Sequence, residues 1–90
     1  MVKMNLEDSL CSKTRIKILR LLLTDGQLNT SQIVERVGGN YSSIHSHLEA
    51  LEKDGILEML PFGSKIRFYR FNAQSPKAQA MQTLFEAWKP

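Results

Sequence analysis

The sequence predicts a mainly α-helical domain with one small β-hairpin, an α+β fold, and three observations support this prediction. Apolar residues recur every three or four positions, the spacing of a helix face, over most of the 90 residues. Between residues 56 and 71 this spacing gives way to short runs of Ile, Phe and Tyr that are typical of strands. The composition, 42% hydrophobic and 23% charged, is that of an ordinary globular domain with a single core.

The first firm helix is predicted over residues 13–23, with Ser12 as its candidate N-cap. Its apolar face is expected to comprise Ile16, Leu19, Leu22 and Leu23. Turn-forming residues 24–26 end the helix, and the isolated Leu28 is expected to pair briefly at the edge of a sheet.

Two further helices are separated by a tight turn. Thr30 is the candidate cap of a helix over residues 31–37, and Gly38 stands where a left-handed helix end is needed. Gly39 gives the turn further freedom, and Asn40 is a strong candidate to cap the next helix. Two helices joined in this way form a helix-turn-helix.

The second of these helices contains the segment NYSSIHSHLEAL, residues 40–51, and has two different faces. Ile44, Leu48 and Leu51 share one face and turn it toward the core. The opposite face carries short or planar hydrogen-bonding groups, whereas a merely solvated helix would favour Lys, Glu, Gln and Ala. Such groups can reach base edges and phosphates, so we interpret this segment as a recognition helix for double-stranded DNA. The candidate DNA contacts are Asn40, Tyr41, Ser42, Ser43, His45 and Ser46.

The hairpin is predicted as strands over residues 56–60 and 65–71 around a Gly-containing turn. Residues 61–77 include four basic side chains and no acid, whereas residues 49–58 include four acids and a single basic residue, Lys53. This polarity favours a DNA-facing hairpin, with Ser64, Lys65 and Arg67 as its candidate contacts.

The C-terminal helix is predicted over residues 75–89, with Ser75 as cap and Pro76 at the first helical position. Its apolar stripe exceeds what a core of this size is expected to cover, and large exposed apolar patches usually mark interfaces. We therefore expect a homodimer through this stripe. The alternative is that the helix packs on the first helix of its own chain. The candidate interface residues are Met81, Leu84, Phe85 and Trp88.

Four stretches, KTRIKILRLLL, TSQIVERVGG, SSIHSHLEALEKDGIL and KIRFYRFN, together resemble ArsR-type transcriptional regulators, and archaeal regulators contain closely similar stretches. The resemblance covers residues 12–72, and its most specific part is His47-Leu48 followed by Leu51, Gly55 and Ile56-Leu57. It implies a winged helix-turn-helix with an additional C-terminal helix. Residues 1–90 would then form one domain, with a core over 12–72, a wing at 56–71 and a dimerisation helix at 75–89. By position, it places DNA contacts on Tyr41, Ser42, His45, Ser46, Lys65 and Arg67.

The chain departs from this family at two points. Gly39 stands where the family usually has an aliphatic residue that pins the turn to the core, so we expect a less rigidly held recognition helix. The metal-sensing members carry a Cys pair before the turn, or acids and His on the last helix, and this chain has neither. His45 and His47 point about 200° apart on a helix and do not share a metal. Accordingly, we expect no metal, no cofactor and no metal effector.

Other function classes have weaker support. The sequence has no Gly-rich phosphate loop and no nucleophile with a base and an orienting partner, so we expect no enzyme. No apolar run approaches the length of a membrane span, and we expect a cytoplasmic protein without membrane contact. Two alternatives stay open: a winged helix that binds protein, and a weakly specific, chromatin-like DNA binder.

Overall fold

Four helices and three strands make up residues 12–88, the part of the chain that the computed structural model describes. Their order is α1 (Lys13–Asp25), β1 (Gln27–Asn29), α2 (Thr30–Val37), α3 (Tyr41–Lys53), β2 (Leu57–Phe62), β3 (Ile66–Phe71) and α4 (Pro76–Ala87). The mainly α, α+β prediction is confirmed. The lone Cys11 and residue 89 of the predicted C-terminal helix lie outside the described residues.

Side-chain caps determine where each helix begins. Ser12, Asn40 and Ser75 accept a backbone N–H from the third residue of the helix that follows them, as predicted. The prediction for Thr30 is wrong, since the cap of α2 is Asn29. Asn29 Oδ1 accepts from the Gln32 backbone N–H, and Gln32 Oε1 accepts from the Asn29 N–H, both at 2.9 Å. This reciprocal pair of hydrogen bonds satisfies two backbone donors. Helix α2 therefore begins at Thr30, one residue earlier than predicted.

The sheet has the order β1-β3-β2, with both pairs antiparallel. Leu28 pairs with Tyr69, which confirms the brief edge pairing expected for it. β2 extends two residues further than predicted, because Pro61 pairs with Arg67 and Phe62 with Ile66. Pro61 is tolerated there since β2 is an edge strand, where a missing N–H need not interrupt a ladder.

One apolar core lies between the helices and the inner face of the sheet. Ile44, Leu48 and Leu51 of α3 are almost fully buried, as their spacing predicted. The sequence reasoning missed Ile18 on α1, which has no exposed surface, while Ile16 and Leu23 are only partly buried. The other residues of this core are Leu19, Leu22, Leu28, Ile33, Ile56, Leu57, Tyr69, Phe71, Ala78, Met81 and Phe85.

The apolar stripe of α4 divides into a buried and an exposed part. Met81 and Phe85 are 6% and 7% exposed within the single chain, and the Arg20 guanidinium lies 5.7 Å from the centre of the Phe85 ring. Leu84 and Trp88 are 37% and 69% exposed. Intramolecular packing therefore accounts for half of the stripe. Lys77 Nζ also contacts Asp54 Oδ1 at 2.7 Å, which ties the start of α4 to the end of α3.

Candidate nucleic-acid interface

The recognition helix α3 begins at a turn that two glycines make possible. Gly38 and Gly39 have φ values of 87° and 93°, where L side chains are strained. Asn40 follows, and its Oδ1 accepts the Ser43 backbone N–H at 2.7 Å. A Cβ built on Gly39 would have no neighbour within 4 Å, so nothing at this position packs the turn against the core. The turn is held instead by backbone conformation and by the Asn40 cap.

The outer face of α3 presents the predicted hydrogen-bonding groups to solvent. Asn40, Ser42, Ser43 and Ser46 are all exposed, and Tyr41 is 55% exposed. Because the opposite face is sealed in the core, this face is available to a major groove, which is wide enough to admit a helix.

Tyr41, His45 and Glu49 form a ladder along this face. The Tyr41 and His45 rings stack with centroids 5.9 Å apart and planes 12° apart, and His45 Nε2 lies 3.4 Å from Glu49 Oε1. The Tyr41 ring therefore lies along the helix on His45. His45 itself is half-buried, and its Nδ1 is covered by protein atoms.

Glu49 pairs with His45, one turn earlier on α3. The acid therefore lies beside the candidate DNA contacts, where its charge opposes the approach of phosphate.

His47 belongs to the structural framework behind the interface. Its Nδ1 accepts a hydrogen bond from Arg15 Nε at 2.9 Å, which joins α3 to α1 across 32 residues of sequence. Burial lowers the pKa of His47 below its ordinary value of 6.5, and the positive charge of Arg15 lowers it further. The His47 ring is half-buried, and this hydrogen-bond partner is distant in sequence.

The wing is the hairpin of β2 and β3 with the loop that joins them. Gly63, at a φ of 71°, begins that loop, and the candidate DNA contacts Ser64, Lys65 and Arg67 are all exposed. Arg67 stands opposite Pro61 in the pairing of the two strands.

A cleft of about 460 Å³ brings the wing and the recognition helix together. Tyr41 and His45 line it on one side, and Ser64, Lys65 and Arg67 line it on the other. Thus five predicted contacts that are up to 26 residues apart in sequence share one depression. Asn40, Ser42, Ser43 and Ser46 lie on the exposed surface of α3 outside it.

The start of α2 completes this cleft, and the sequence reasoning missed it. Asn29, Thr30 and Ser31 line the cleft together with Ile66. The N-terminus of a helix favours anions because its first N–H groups and its dipole point outward. With Lys65 and Arg67 opposite, the cleft suits a DNA phosphate. The sequence did contain a signal for it, because Asn29 and Gln32 have the spacing of a capping box, which marks the N-terminus of a helix.

The charge polarity read from the sequence is partly cancelled by folding. Arg70 Nε lies 3.0 Å from Glu58 Oε2, and Lys77 pairs with Asp54. Two of the four basic residues in residues 61–77 are thus paired with acids from residues 49–58. Lys65 and Arg67 are the two that lie at the cleft. Of these four basic residues, Lys65 and Arg67 therefore supply the positive charge at the cleft.

Two structural features bear on other function classes. Within residues 12–88, no group of three or more His, Cys, Asp or Glu side chains is placed to hold a metal ion. No helix in the same part of the chain is long and apolar enough to cross a membrane.

Comparison with a family model described as winged helix-turn-helix DNA-binding gives a match over residues 12–58, which is more than half of the chain. No curated protein matches the sequence. The match includes α1, α2, α3 and the start of the wing, and therefore most of the interface described above.

Solved structures share the whole fold. HlyU from Vibrio cholerae is 26% identical with a TM-score of 0.76, over 91% of this chain and 85% of that one. AntR, an antimony-specific transcriptional repressor, is 24% identical with a TM-score of 0.72, over 88% and 68%. A homodimeric winged helix-turn-helix DNA-binding domain from Mycobacterium bovis, a possible ArsR-family regulator, is 24% identical with a TM-score of 0.71, over 88% and 69%.

Proposed function

The chain belongs to the winged helix-turn-helix DNA-binding family, and from this premise we propose that it is a sequence-specific transcriptional regulator of the ArsR type. In this proposal α3 enters the major groove of double-stranded DNA, and the wing contacts the backbone or the minor groove. The observation that carries it is the shared cleft, because it places Lys65 and Arg67 beside Tyr41 and the start of α2. A family of this kind is normally not enzymatic.

The outer face of α3 and the wing differ in chemistry, and this difference suggests different roles in DNA binding. Ser42 and Ser46 are exposed, short hydroxyl side chains on α3, and hydroxyls can donate to or accept from base edges. Lys65 and Arg67 are long cations on the wing, which suit phosphate or a narrow minor groove. We therefore assign sequence discrimination to α3 and sequence-independent affinity to the wing.

His45 has a conditional role in this assignment. In the structure its Nε2 faces Glu49 and its Nδ1 is covered, so neither nitrogen is directed at an incoming base. For His45 to read a base, the ring must leave the Tyr41 stack. We propose that Tyr41 and His45 move together when DNA binds.

We propose that the regulator acts as a homodimer through the exposed part of α4, with Leu84 and Trp88 in its centre. Support comes from their exposure and from the homodimeric state of the Mycobacterium bovis domain with the same fold. A dimer axis would set two recognition helices a fixed distance apart, so the preferred site would be an inverted repeat.

Three further expectations belong to the proposal. We expect the regulator to be cytoplasmic, because it must reach genomic DNA. It needs no metal effector, although AntR, a repressor with the same fold, is antimony-specific. Similarity of its sequence to archaeal regulators stays a prediction.

Selection of bound duplexes from a random pool tests the function directly. A regulator enriches one motif, and that motif competes about a thousandfold or more better than random duplex at physiological salt. Binding without enrichment would indicate the chromatin-like alternative. No binding to any duplex at low salt would leave the winged helix as a protein-binding module.

A further inference from the structure

The wing tip combines cations with an unusual amount of exposed apolar surface. Pro61, Phe62 and Ile66 are all exposed and flank the loop of Gly63, Ser64 and Lys65, with Phe62 at 68% and Ile66 at 44% exposure. Phe62 and Ile66 are directly paired across the two strands, so their side chains stand on the same face of the hairpin. We propose that Phe62 and Ile66 form an apolar wedge that enters the DNA minor groove and unstacks a base step.

The exposed Phe62 ring is supported by the neighbouring strand. Its ring meets Phe68 edge to face, with centroids 5.9 Å apart and planes 81° apart. Phe68 is half-buried on β3, the central strand, so it supplies a fixed support. An aromatic ring fixed in this way loses little conformational entropy when it enters another surface.

The occupant that fits this tip is DNA, because the tip is continuous with the surface that already faces DNA. Ile66 lines the same cleft as Lys65, Arg67 and Tyr41. No acid occurs in residues 59–85, so the part of the wing beyond Glu58 carries no negative charge that opposes phosphates on either side of the groove. Glu58 itself lies near the start of β2 and pairs with Arg70. Apolar wedges beside basic side chains are the combination that minor-groove binders use to kink DNA.

The inference rests on the proposed function and adds a mode of recognition to it. With α3 in the major groove, the wing meets the neighbouring minor groove, outside the bases that α3 reads. Insertion there bends the duplex by about 20° to 90° toward the major groove. Pyrimidine–purine steps, TA or CA/TG, are the most easily unstacked. The preferred site is therefore expected to carry such a step under each wing.

The test uses the full chain and the duplex obtained by selection. Dyes at the two ends of the duplex report the bend through energy transfer, and 2-aminopurine at the flanking step reports unstacking. Three variants are compared: Phe62→Ser with Ile66→Ser, Phe62→Leu, and Lys65→Ala. All the changed side chains are exposed, so Lys65→Ala is expected to alter stability by about 0.5 kcal/mol or less. Loss of the Phe62–Phe68 ring contact is expected to cost about 0.5–1.5 kcal/mol, and circular dichroism and thermal unfolding check that each variant stays folded.

The native chain should bend the duplex and brighten 2-aminopurine. The double serine variant should bind with the same salt dependence but lose both signals, whereas Phe62→Leu should keep them because Leu is also an apolar wedge. Lys65→Ala should show the reverse pattern, with a weaker salt dependence and both signals retained.

Specific binding without a bend, or an equal bend by the double serine variant, overturns the wedge and leaves the proposed function standing. Failure to bind any duplex would contradict both the wedge and the proposed function. If the serine variant instead changes the sedimentation coefficient of the free protein, the apolar tip is a contact between copies of the chain, which also overturns the inference.

Discussion

His47 Nδ1 on the recognition helix accepts a hydrogen bond from Arg15 Nε on α1 at 2.9 Å, and this bond requires the histidine ring to be neutral at that nitrogen. Burial and the Arg15 charge both lower the pKa of His47. The unfolded chain therefore takes up a proton near pH 6.5, while the folded chain resists it.

Stability should consequently fall as pH is lowered through 6.5, and the His47 contribution should be fully present above that pH. Chemical denaturation at a series of pH values measures the free energy of unfolding. His47→Gln supplies an amide oxygen to Arg15 but does not titrate, so its stability should depend less on pH over the same range. Identical pH dependence in the two proteins would show that His47 does not titrate differently on folding. His47→Leu, which leaves the Arg15 donor without this acceptor, should cost about 1–3 kcal/mol at neutral pH.

The second prediction concerns the wing cations. Replacing Lys65 and Arg67 by Ala should weaken binding to every duplex alike and reduce the slope of log affinity against log salt by about two units, one for each lost phosphate contact. Fluorescence anisotropy titrations between low and physiological salt measure both effects. Lys13→Ala with Lys17→Ala, on the solvated face of α1, removes the same charge and should leave the slope nearly unchanged. A loss confined to one base position would contradict the assignment.

The third prediction concerns base reading by α3. Ser42→Ala or Ser46→Ala should change the preference at particular base pairs by on the order of 1–3 kcal/mol where a base contact is lost. Affinities for a full set of single-base changes in the selected site locate the contacted positions. Because both side chains are exposed, the stability of the free protein should hardly change. A uniform loss over all duplexes would place these hydroxyls on phosphates instead.

The fourth prediction concerns the turn before α3. Gly39→Ala should destabilise the protein by about 1–3 kcal/mol through backbone strain alone, because φ is 93° and an added Cβ meets nothing within 4 Å. If the turn orients α3, the Gly39→Ala variant should bind DNA more weakly even after its affinity is corrected for the fraction of protein that is unfolded. Gly26→Ala, at a φ of 85° after α1, is the matched control, with a similar stability loss and unchanged affinity of the folded fraction. Equal affinities for the two variants would show that the turn does not position the helix.

The fifth prediction separates dimerisation from folding. Leu84→Ser with Trp88→Ser should give folded monomers that bind single half-sites and lose the affinity gained by linking two modules. Phe85→Ala is expected to destabilise the chain itself, since Phe85 is buried under Arg20. Sedimentation at micromolar concentration and thermal unfolding distinguish the two effects. If the native chain sediments as a monomer and selects an asymmetric site, the proposal of a homodimer is wrong.

Local signals in the sequence were sufficient for most of the architecture. The periodic Ile44, Leu48 and Leu51, the cap at Asn40 and the glycines before it predicted α3 and its orientation, because helix spacing and capping act over only a few residues. The same holds for Ser75 and Pro76 at the start of α4. Errors arose where two local choices competed, as with Asn29 and Thr30, or where edge-strand position decided that Pro61 could stay in a strand.

The sequence by itself therefore determined the helices, the hairpin and the hydrogen-bonding residue types on the outer face of α3. Only the tertiary structure decided which of those residues act together. It paired Arg70 with Glu58 and Lys77 with Asp54, which left Lys65 and Arg67 at the cleft, and it buried Met81 and Phe85 while exposing Leu84 and Trp88. Charge pairing and burial depend on distances between segments far apart in the chain, and periodicity within one segment contains no information about those distances.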